Sequence, residues 1–202
     1  MAELSQDILT AVELLPERVQ PMLDYAEQID PAAIVVCDRD ARPIGQVFEQ
    51  LAHADGFEAP VFYKHISKRI GVNAAELIAM HCQDVGEVIE RADAPARLMV
   101  IDDYVSKNAG TMSLFRTAMR RLAVDADIHW VTMAGKGTAL NVMPYAGPNA
   151  VSPWRDRAEV IGVDYKGIEA TPIDTELSHE FASLLGASVR RYLARKPINE
   201  AY

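Results

Sequence analysis

The feature that most constrains the fold is a set of short, wholly apolar runs that end abruptly in charged residues. Residues 32–37 (AAIVVC) are followed by Asp38, and residues 98–101 (LMVI) are followed by Asp102 and Asp103. Apolar runs without polar alternation are typical of strands buried on both faces. Because helical patterns separate these runs, the sequence predicts an α/β fold with a mainly parallel sheet of about five strands flanked by helices.

The element boundaries follow from the same patterns and from proline, glycine and capping residues. The predicted strands are residues 32–37, 60–67, 98–101, 128–133 and 159–163. The N-terminal segment 1–30 is predicted to be helical, with Pro16 and Pro21 interrupting it and a short second helix near 22–28. Further helices are predicted after Pro43, from a capping box at Asn73 to about residue 90, and along the apolar stripe Met112, Phe115 and Met119. A last helix is predicted over about 175–195, with Asp174 or Thr175 as its cap. The stretch 134–156 is rich in Gly, Pro, Asn and Ser and predicts a long loop.

Length, charge and cysteine content narrow the class of protein. At 202 residues, one domain spanning 1–202 is the simplest organisation. The formal net charge of −9 disfavours non-specific nucleic-acid binding, which needs a basic surface, but leaves a local anion site open. The two cysteines give no disulfide framework, no apolar run reaches the ~20 residues that cross a membrane, and the N-terminus lacks a basic signal region. We therefore expect a cytoplasmic protein that binds neither nucleic acid nor membrane.

Polar or charged residues follow the predicted strands, at the positions where open parallel sheets bind their ligands. These groups are residues 38–42, 102–111, 134–136 and 164–165. Two adjacent carboxylates, Asp102 and Asp103, repel each other unless solvent, a basic group, a metal or ligand hydroxyls offset their charge. The loop 106–111 after them has small residues, a threonine and a helix start, which together suit a phosphate. The pattern favours a sugar phosphate over the alternative of a solvent-exposed strand terminus.

At these residues the sequence resembles the type I phosphoribosyltransferases, whose signature is an apolar run, two acidic residues, two apolar residues and a small Thr/Gly loop. Here the signature reads Leu98-Met99-Val100-Ile101, Asp102-Asp103, Tyr104-Val105, and then Ser106, Lys107, Asn108, Ala109, Gly110 and Thr111. The resemblance implies that Asp102 and Asp103 face the ribose hydroxyls of phosphoribosyl pyrophosphate and that 106–111 holds its 5′-phosphate. The loop is one residue longer than the usual one and lacks its paired glycines.

Weaker likenesses extend the comparison to other strand ends. The turn after residue 37 looks like the family's pyrophosphate loop, with Arg39 in the basic place and Asp40 and Ala41 replacing two glycines. The alternative there is an ordinary turn with paired Asp and Arg. The segment AEVIGVDYKG looks like the tail of hypoxanthine-guanine phosphoribosyltransferases. It implies a magnesium-binding Asp164 and a base-stacking Tyr165, or Trp154 in its place, while Lys136 would reach a base or phosphate. The alternative for this segment, slightly favoured, is a core strand with a surface turn and a partly buried Trp154.

The resemblance implies a magnesium-dependent phosphoribosyltransferase that joins the phosphoribosyl group to a nitrogen of a nucleobase or related small acceptor and releases pyrophosphate. Asp102, Asp103 and Arg39 would act in catalysis, Asp102, Asp103 and Asp164 would hold Mg2+, and the protein would be a homo-oligomer, commonly a dimer. A non-catalytic nucleotide-binding or regulatory protein of the same type is one alternative. Another is a haloacid-dehalogenase-like phosphatase, because IVVCDRDA superficially matches its DxD start, with Asp38 as nucleophile and Asp40 as acid.

Overall fold

The computed structural model describes residues 3–67, 70–92, 95–105, 110–135, 140–141 and 152–196. Its elements, in chain order, are α1 (Gln6–Ile29), β1 (Ala33–Cys37), α2 (Arg42–Asp55), β2 (Val61–Lys64), α3 (Ala74–His81), α4 (Gln83–Arg91), β3 (Ala96–Val105), α5 (Gly110–Arg121), β4 (Ala126–Gly135), β5 (Leu140–Asn141), α6 (Ala158–Ile161), β6 (Val163–Lys166), β7 (Glu169–Pro172) and α7 (Glu176–Arg195). The alternation of strands and helices that the apolar runs predicted is confirmed.

The main sheet is parallel throughout and has the strand order β2-β1-β3-β4-β5. Four strands of four to ten residues form its body, and the fifth contributes only two residues at the edge. Every residue of β1 is buried, as a strand covered by helices on both faces must be. The register pairs Val36 of β1 with Ile101 of β3, and Ile101 with Val131 of β4. The carboxyl ends of β1 and β3 therefore lie side by side.

The helices pack in two groups around one continuous apolar core. Helices α1, α2 and α7 contact one another, and α3 packs against α5. Buried apolar side chains from α1 through α7 belong to the same cluster. None of the helices in the described part of the chain is long and apolar enough to cross a membrane.

The first helix runs unbroken through two prolines, although the sequence predicted a break. Helix α1 is 24 residues long and contains Pro16 and Pro21. A proline has no N–H, so Pro16 leaves the carbonyl of Val12 without its helical donor. The hydroxyl of Ser188 in α7 donates to that carbonyl at 2.8 Å. A contact between residues distant in sequence thus replaces the hydrogen bond that the proline removes, which local patterns cannot predict.

The predicted strand at 159–163 is wrong, and the predicted helix from Asn73 is divided. Residues Ala158–Ile161 form the short helix α6, which ends at Gly162 in the left-handed conformation with φ 79°. The strand β6 begins only after that glycine and pairs antiparallel with β7 in a separate hairpin. A short apolar run fits a buried helix turn as well as a strand, so periodicity alone misassigned it. The Asn73 side chain makes no capping bond, and Cys82 separates α3 from α4.

The last helix begins as predicted. Thr175 is its N-cap: its hydroxyl accepts the backbone N–H of Ser178 at 3.0 Å, and the Ser178 hydroxyl accepts the backbone N–H of Thr175 at 3.2 Å. This reciprocal capping box satisfies two donors at the start of α7. The helix is thereby fixed at the position where its apolar residues meet α1 and α2.

Close packing of α2 on the sheet depends on Gly45, where a Cβ atom would lie 2.7 and 2.8 Å from the two methyl carbons of Val36. We expect Gly45→Ala to lower the free energy of unfolding by about 1–3 kcal/mol, because α2 has to move off β1. Urea denaturation followed by circular dichroism measures the change. Gly86→Ala is the matched control, since its Cβ would meet nothing closer than 3.4 Å and alanine favours a helix. Equal effects of the two substitutions would contradict the packing interpretation.

Candidate active site

Two polar segments from adjacent strands meet at the carboxyl edge of the sheet. Residues 38–41 form the turn between β1 and α2, and Asp102 and Asp103 lie near the end of β3. The pairing of Val36 with Ile101 places the turn next to the acidic pair. Ligands of open parallel sheets bind at this edge. The structure therefore brings together two of the sequence-predicted groups, the acidic pair and the turn.

The acidic pair lies inside strand β3. The sequence had suggested that it lies beyond the end of that strand. Strand β3 pairs with β4 as far as Val105, with Asp102 opposite Thr132. Asp102 and Asp103 are consequently buried, with exposures of 8% and 4%. The backbone N–H of Asp103 donates to Oδ1 of Asp102 at 2.9 Å. The long pairing of β3 with β4 buries two carboxyl groups that, from the sequence, were expected at a strand terminus. Local sequence patterns do not predict this pairing.

Burial makes these two carboxyl groups a proton-sharing pair. Burial, the charge of Asp103 and a side-chain hydrogen bond with Asp103 raise the pKa of Asp102 well above its ordinary value. Burial also raises the pKa of Asp103, to about 6, against the opposing positive charge of Arg155. Two interacting acids in a dry site lose their protons in separate steps. The raised pKa values of both groups therefore favour a state in which the pair shares one proton, and the charge of Arg155 favours the ionised form of Asp103.

The turn after β1 contains a strained residue. Arg39 has φ 101°, in the left-handed region that favours glycine. Such a conformation costs on the order of 1–3 kcal/mol in a residue with a side chain and is concentrated at functional sites. The likeness to a pyrophosphate loop placed the glycine positions at 40 and 41. Neither residue has a positive φ, since Ala41 lies at φ −87° and the strain falls on Arg39.

Asp38 is fully engaged by its neighbours. Arg42 donates to both of its oxygens, Nε to Oδ1 at 2.7 Å and Nη2 to Oδ2 at 2.6 Å. The backbone N–H of Arg39 donates to Oδ1, and the hydroxyl of Tyr165 donates to Oδ2. The Asp38 side chain is only 2% exposed. This carboxylate orders the turn and anchors the hairpin strand β6.

Tyr165 is held at the rim of the site by two neighbours. Its ring lies 4.1 Å from the ring of His65, measured between centroids, so one of its faces is covered. Burial and the charge of Asp38 raise the pKa of its hydroxyl. The imidazole Nδ1 of His65 also lies 2.6 Å from the carbonyl oxygen of Gly167, which fixes the hairpin against the end of β2. Tyr165 is thus brought to the turn, as a stacking role requires.

Trp154 lies beneath the site and has no face open to a ligand. Its side chain is fully buried against Phe181, with ring centroids 5.7 Å apart. Its indole N–H donates to the backbone carbonyl of Asp40 at 2.9 Å. Two residues further along the chain, the backbone N–H of Asp156 donates to Oδ1 of Asp40 at 3.0 Å. The predicted stacking role of Trp154 is therefore replaced by a structural one, support of the turn.

Arg155 is the site residue that sequence reasoning missed. Its Nη1 atom lies 3.6 Å from Oδ2 of Asp103, and its Nε lies 3.8 Å from Oδ2 of Asp40. Its guanidinium also lies 5.4 Å from the centre of the Tyr104 ring. The only signal in the sequence was a basic residue next to Trp154 in a segment otherwise read as loop. Its two acidic partners are 52 and 115 positions away, which no short motif reveals.

The remaining predicted residues are placed as follows. Gly110 and Thr111 open helix α5, five residues after β3 ends, so its N-terminus follows the acidic pair. Asp164 lies in β6 opposite Thr171, and its Oδ1 accepts the backbone N–H of Tyr165 at 2.8 Å. The other predicted phosphate-loop residues and the predicted basic residue lie outside the described residues; they are Ser106, Lys107, Asn108, Ala109 and Lys136.

A resident metal site made by protein groups alone is not found in the described ranges, where no three His, Cys, Asp or Glu side chains converge suitably. Magnesium does not require such a cage. It commonly binds one or two carboxylates and completes its shell with water and phosphate oxygens of a substrate. Asp103 and Asp40 offer two such carboxylates, since both approach the same Arg155 side chain within 4 Å.

Comparisons with known proteins do not assign this chain to a family. No protein-family model matches the chain, and no curated protein sequence matches it. The functional interpretation accordingly rests on the site itself.

The raised pKa of Asp103 predicts a pH-dependent stability cost. A carboxyl whose pKa is higher in the folded than in the unfolded chain binds its proton more tightly when folded, so its contribution to stability falls as pH rises between about 4 and about 6. We expect the free energy of unfolding of Asp103→Asn to rise by about 1–3 kcal/mol relative to that of the parent chain as the pH increases across that interval. Chemical denaturation at several pH values measures the difference, with Asp125→Asn, at an exposed aspartate, as control. A difference between parent and Asp103→Asn that does not change with pH would contradict the burial of an ionisable Asp103.

Proposed function

We propose that this protein is a magnesium-dependent phosphoribosyltransferase that uses phosphoribosyl pyrophosphate and a small nitrogen acceptor. The observation that carries the proposal is the buried acidic pair at the carboxyl end of β3, placed between the β1 turn and the start of α5. One oxygen of this pair, Oδ2 of Asp103, is buried and has no hydrogen-bond partner among the described residues. A buried polar atom without a partner costs free energy, so such an atom at a sheet edge is best explained by a ligand.

The acidic pair suits the hydroxyl groups of a ribose. Because burial raises the pKa of both carboxyl groups, the pair favours a state with one shared proton, in which one group accepts a hydrogen bond and the other donates one. A ribose hydroxyl both donates and accepts, so vicinal hydroxyls can satisfy both groups. The backbone N–H groups at the start of α5 and the hydroxyl of Thr111 supply donors for the 5′-phosphate. The pair and the helix start thus address opposite ends of the same phosphoribosyl group.

In the transfer reaction the bond from the anomeric carbon to pyrophosphate breaks and a bond from that carbon to the acceptor nitrogen forms. Negative charge develops on the departing pyrophosphate, and positive charge develops on the sugar. Arg39, on the strained turn beside the pair, would stabilise the departing anion, while ionised Asp103 would favour the cationic sugar. Magnesium, when bound, supplies additional positive charge to the pyrophosphate, with Asp40 and Asp103 as its protein ligands. The acceptor would stack near Tyr165.

A second candidate, binding without turnover, is favoured by one observation. The guanidinium of Arg39 is held by Oδ2 of Asp40 at 2.6 Å and by Oδ1 of Asp156 at 2.8 Å. An arginine whose positive charge is already balanced by two carboxylates attracts a negatively charged leaving group less strongly. In this case the protein would hold a phosphoribosyl compound or a nucleotide as a regulatory ligand. The phosphatase alternative has no such support, because both oxygens of Asp38 are occupied and its side chain is 2% exposed.

Isothermal calorimetry with phosphoribosyl pyrophosphate and magnesium tests the proposed ligand. We expect saturable binding, and at least a tenfold loss, or about 1.4 kcal/mol, in Asp103→Asn, because an amide cannot supply the negative acceptor. Asp102→Asn should weaken binding less, since the raised pKa of Asp102 favours its neutral form, and the amide is also a neutral donor. Asp125→Asn, which removes an exposed carboxylate away from the edge, is expected to bind as the parent does. Absence of binding heat in the parent chain would contradict both candidate functions.

Release of pyrophosphate separates the two candidates. A transferase consumes phosphoribosyl pyrophosphate when the correct acceptor is present, and a coupled assay for pyrophosphate across a panel of purines, pyrimidines and small amines detects it. Tight binding together with no release for any acceptor on the panel would favour the regulatory candidate. Asp40→Gly restores a glycine at a position where the likeness expects one, and it frees Arg39 from one carboxylate. A gain of turnover in that variant would identify Asp40 as the cause of a lost activity and would contradict its assignment as a magnesium ligand.

A further inference from the structure

The guanidinium group of Arg155 lies between two buried carboxylates. One of them is in the turn after β1, and the other is near the end of β3. Arg155 approaches Oδ2 of Asp103 at 3.6 Å and Oδ2 of Asp40 at 3.8 Å. The side chains of these aspartates are 4% and 9% exposed. Oδ2 of Asp103 is itself buried and receives no hydrogen bond from any described residue. Two carboxylate oxygens are thus directed at one position, which is filled by a positive charge.

Arg155 is bound more loosely than the other arginines of the site. Arg39 and Arg42 donate hydrogen bonds of 2.6 to 3.1 Å to their aspartates. Both contacts of Arg155 are longer than a hydrogen bond, so the attraction is ionic and not fixed by geometry. Its side chain is 31% exposed and therefore has a route to solvent. Such a counter-ion can leave its carboxylates without breaking a hydrogen bond to them.

We infer that Arg155 is an internal stand-in for the divalent cation of the ligand, and that it must leave Asp40 and Asp103 before that cation binds between them. The inference rests on the proposed function, which requires a magnesium-bearing ligand at this edge. In the ligand-free chain, Arg155 offsets the repulsion of the two carboxylates and weakens the binding of free metal ions. The contact is therefore self-inhibitory. It also gives the aspartate at position 40, where the family likeness expects a glycine, a role as metal ligand.

The position of the two carboxylates fits a cation that arrives with a ligand. Magnesium is commonly held by one or two carboxylates, with phosphate oxygens and water completing its shell. Asp40 is fixed by the buried support beneath it, since its carbonyl accepts from Trp154 and its Oδ1 accepts from the backbone of Asp156. Asp103 is fixed within β3. Oδ2 of Asp40 also accepts a hydrogen bond from Nη2 of Arg39 at 2.6 Å, so a metal ion bound there would share this oxygen with Arg39. Exchange of Arg155 for a metal ion therefore requires movement of the Arg155 side chain and not of the two aspartates.

Titration with Mn2+ alone, followed by electron paramagnetic resonance of the free ion, tests the inference without any organic ligand. We expect Arg155→Gln to bind Mn2+ about tenfold more tightly than the parent chain, because a competing positive charge is removed. Asp103→Asn or Asp40→Asn, added to Arg155→Gln, should abolish the gain. Arg155→Lys keeps the charge and should remain within about twofold of the parent. Arg157→Gln is the matched control, since Arg157 pairs with Glu159 at 3.1 Å on the same segment.

A second measurement uses the parent chain, so that a misfolded variant does not decide the outcome. The 15Nε resonance of Arg155, assigned by its loss in Arg155→Lys, should shift when the parent chain is saturated with Mg2+, and the resonance of Arg157 should not. Unchanged Mn2+ affinity in a folded Arg155→Gln, or an Arg155 resonance unaffected by Mg2+, would overturn the inference. Weaker binding of inorganic pyrophosphate with magnesium in Arg155→Gln would also overturn it, because Arg155 would then be an anion ligand. Failure of the parent to bind phosphoribosyl pyrophosphate, with the Mn2+ results as expected, would instead reject the proposed function alone.

Discussion

The ion pairs at the carboxyl edge of the sheet are the constraint on which the site depends. Four aspartates, at positions 38, 40, 102 and 103, are buried at the ends of two adjacent strands. Buried charge is tolerated only when it is paired or neutralised by a proton. The chain meets this requirement in three ways: Arg42 pairs with Asp38, Arg39 pairs with Asp40, and a raised pKa favours the neutral form of Asp102. Oδ2 of Asp103 lies 3.6 Å from Arg155 and receives no hydrogen bond from a described residue.

This arrangement is an expensive way to stabilise a fold. Removing charged groups from water costs several kcal/mol per ion, and well-packed apolar residues often serve at least as well as a buried ion pair. The apolar core that runs from α1 to α7 supplies stability without these charges. A strained backbone at Arg39 adds a further cost. The proposed binding role would account for several unfavourable features at the same sheet edge, since strain and perturbed pKa values concentrate at functional sites.

The sequence predicted the parts of the structure that local periodicity controls. Fully apolar runs such as 32–37 are typical of strands covered on both faces, so the parallel sheet and the neighbouring positions of the turn and acidic pair followed from them. Local patterns failed where a distant residue decided the outcome. Pairing with β4 extended β3 past Asp103, Ser188 let α1 continue through Pro16, and Gly162 turned an apolar run into a helix end.

The acidic residues of the candidate site and Arg39 could be predicted from the sequence, whereas Arg155 could not. Asp102 and Asp103 are adjacent in sequence, so a motif reveals them, whereas Arg155 reaches them from a segment more than 50 residues away. The buried Trp154 explains that difference, because its bond to the Asp40 carbonyl draws the segment 152–157 onto the turn. Once the indole is placed, its neighbour Arg155 has two carboxylates within ionic reach. In a chain with net charge −9, the proposed anionic ligand would require a place where arginines and a raised carboxyl pKa reduce the local negative charge. The sheet edge that carries Arg39, Arg155 and the high-pKa Asp102 meets that condition, which supports the proposed site there.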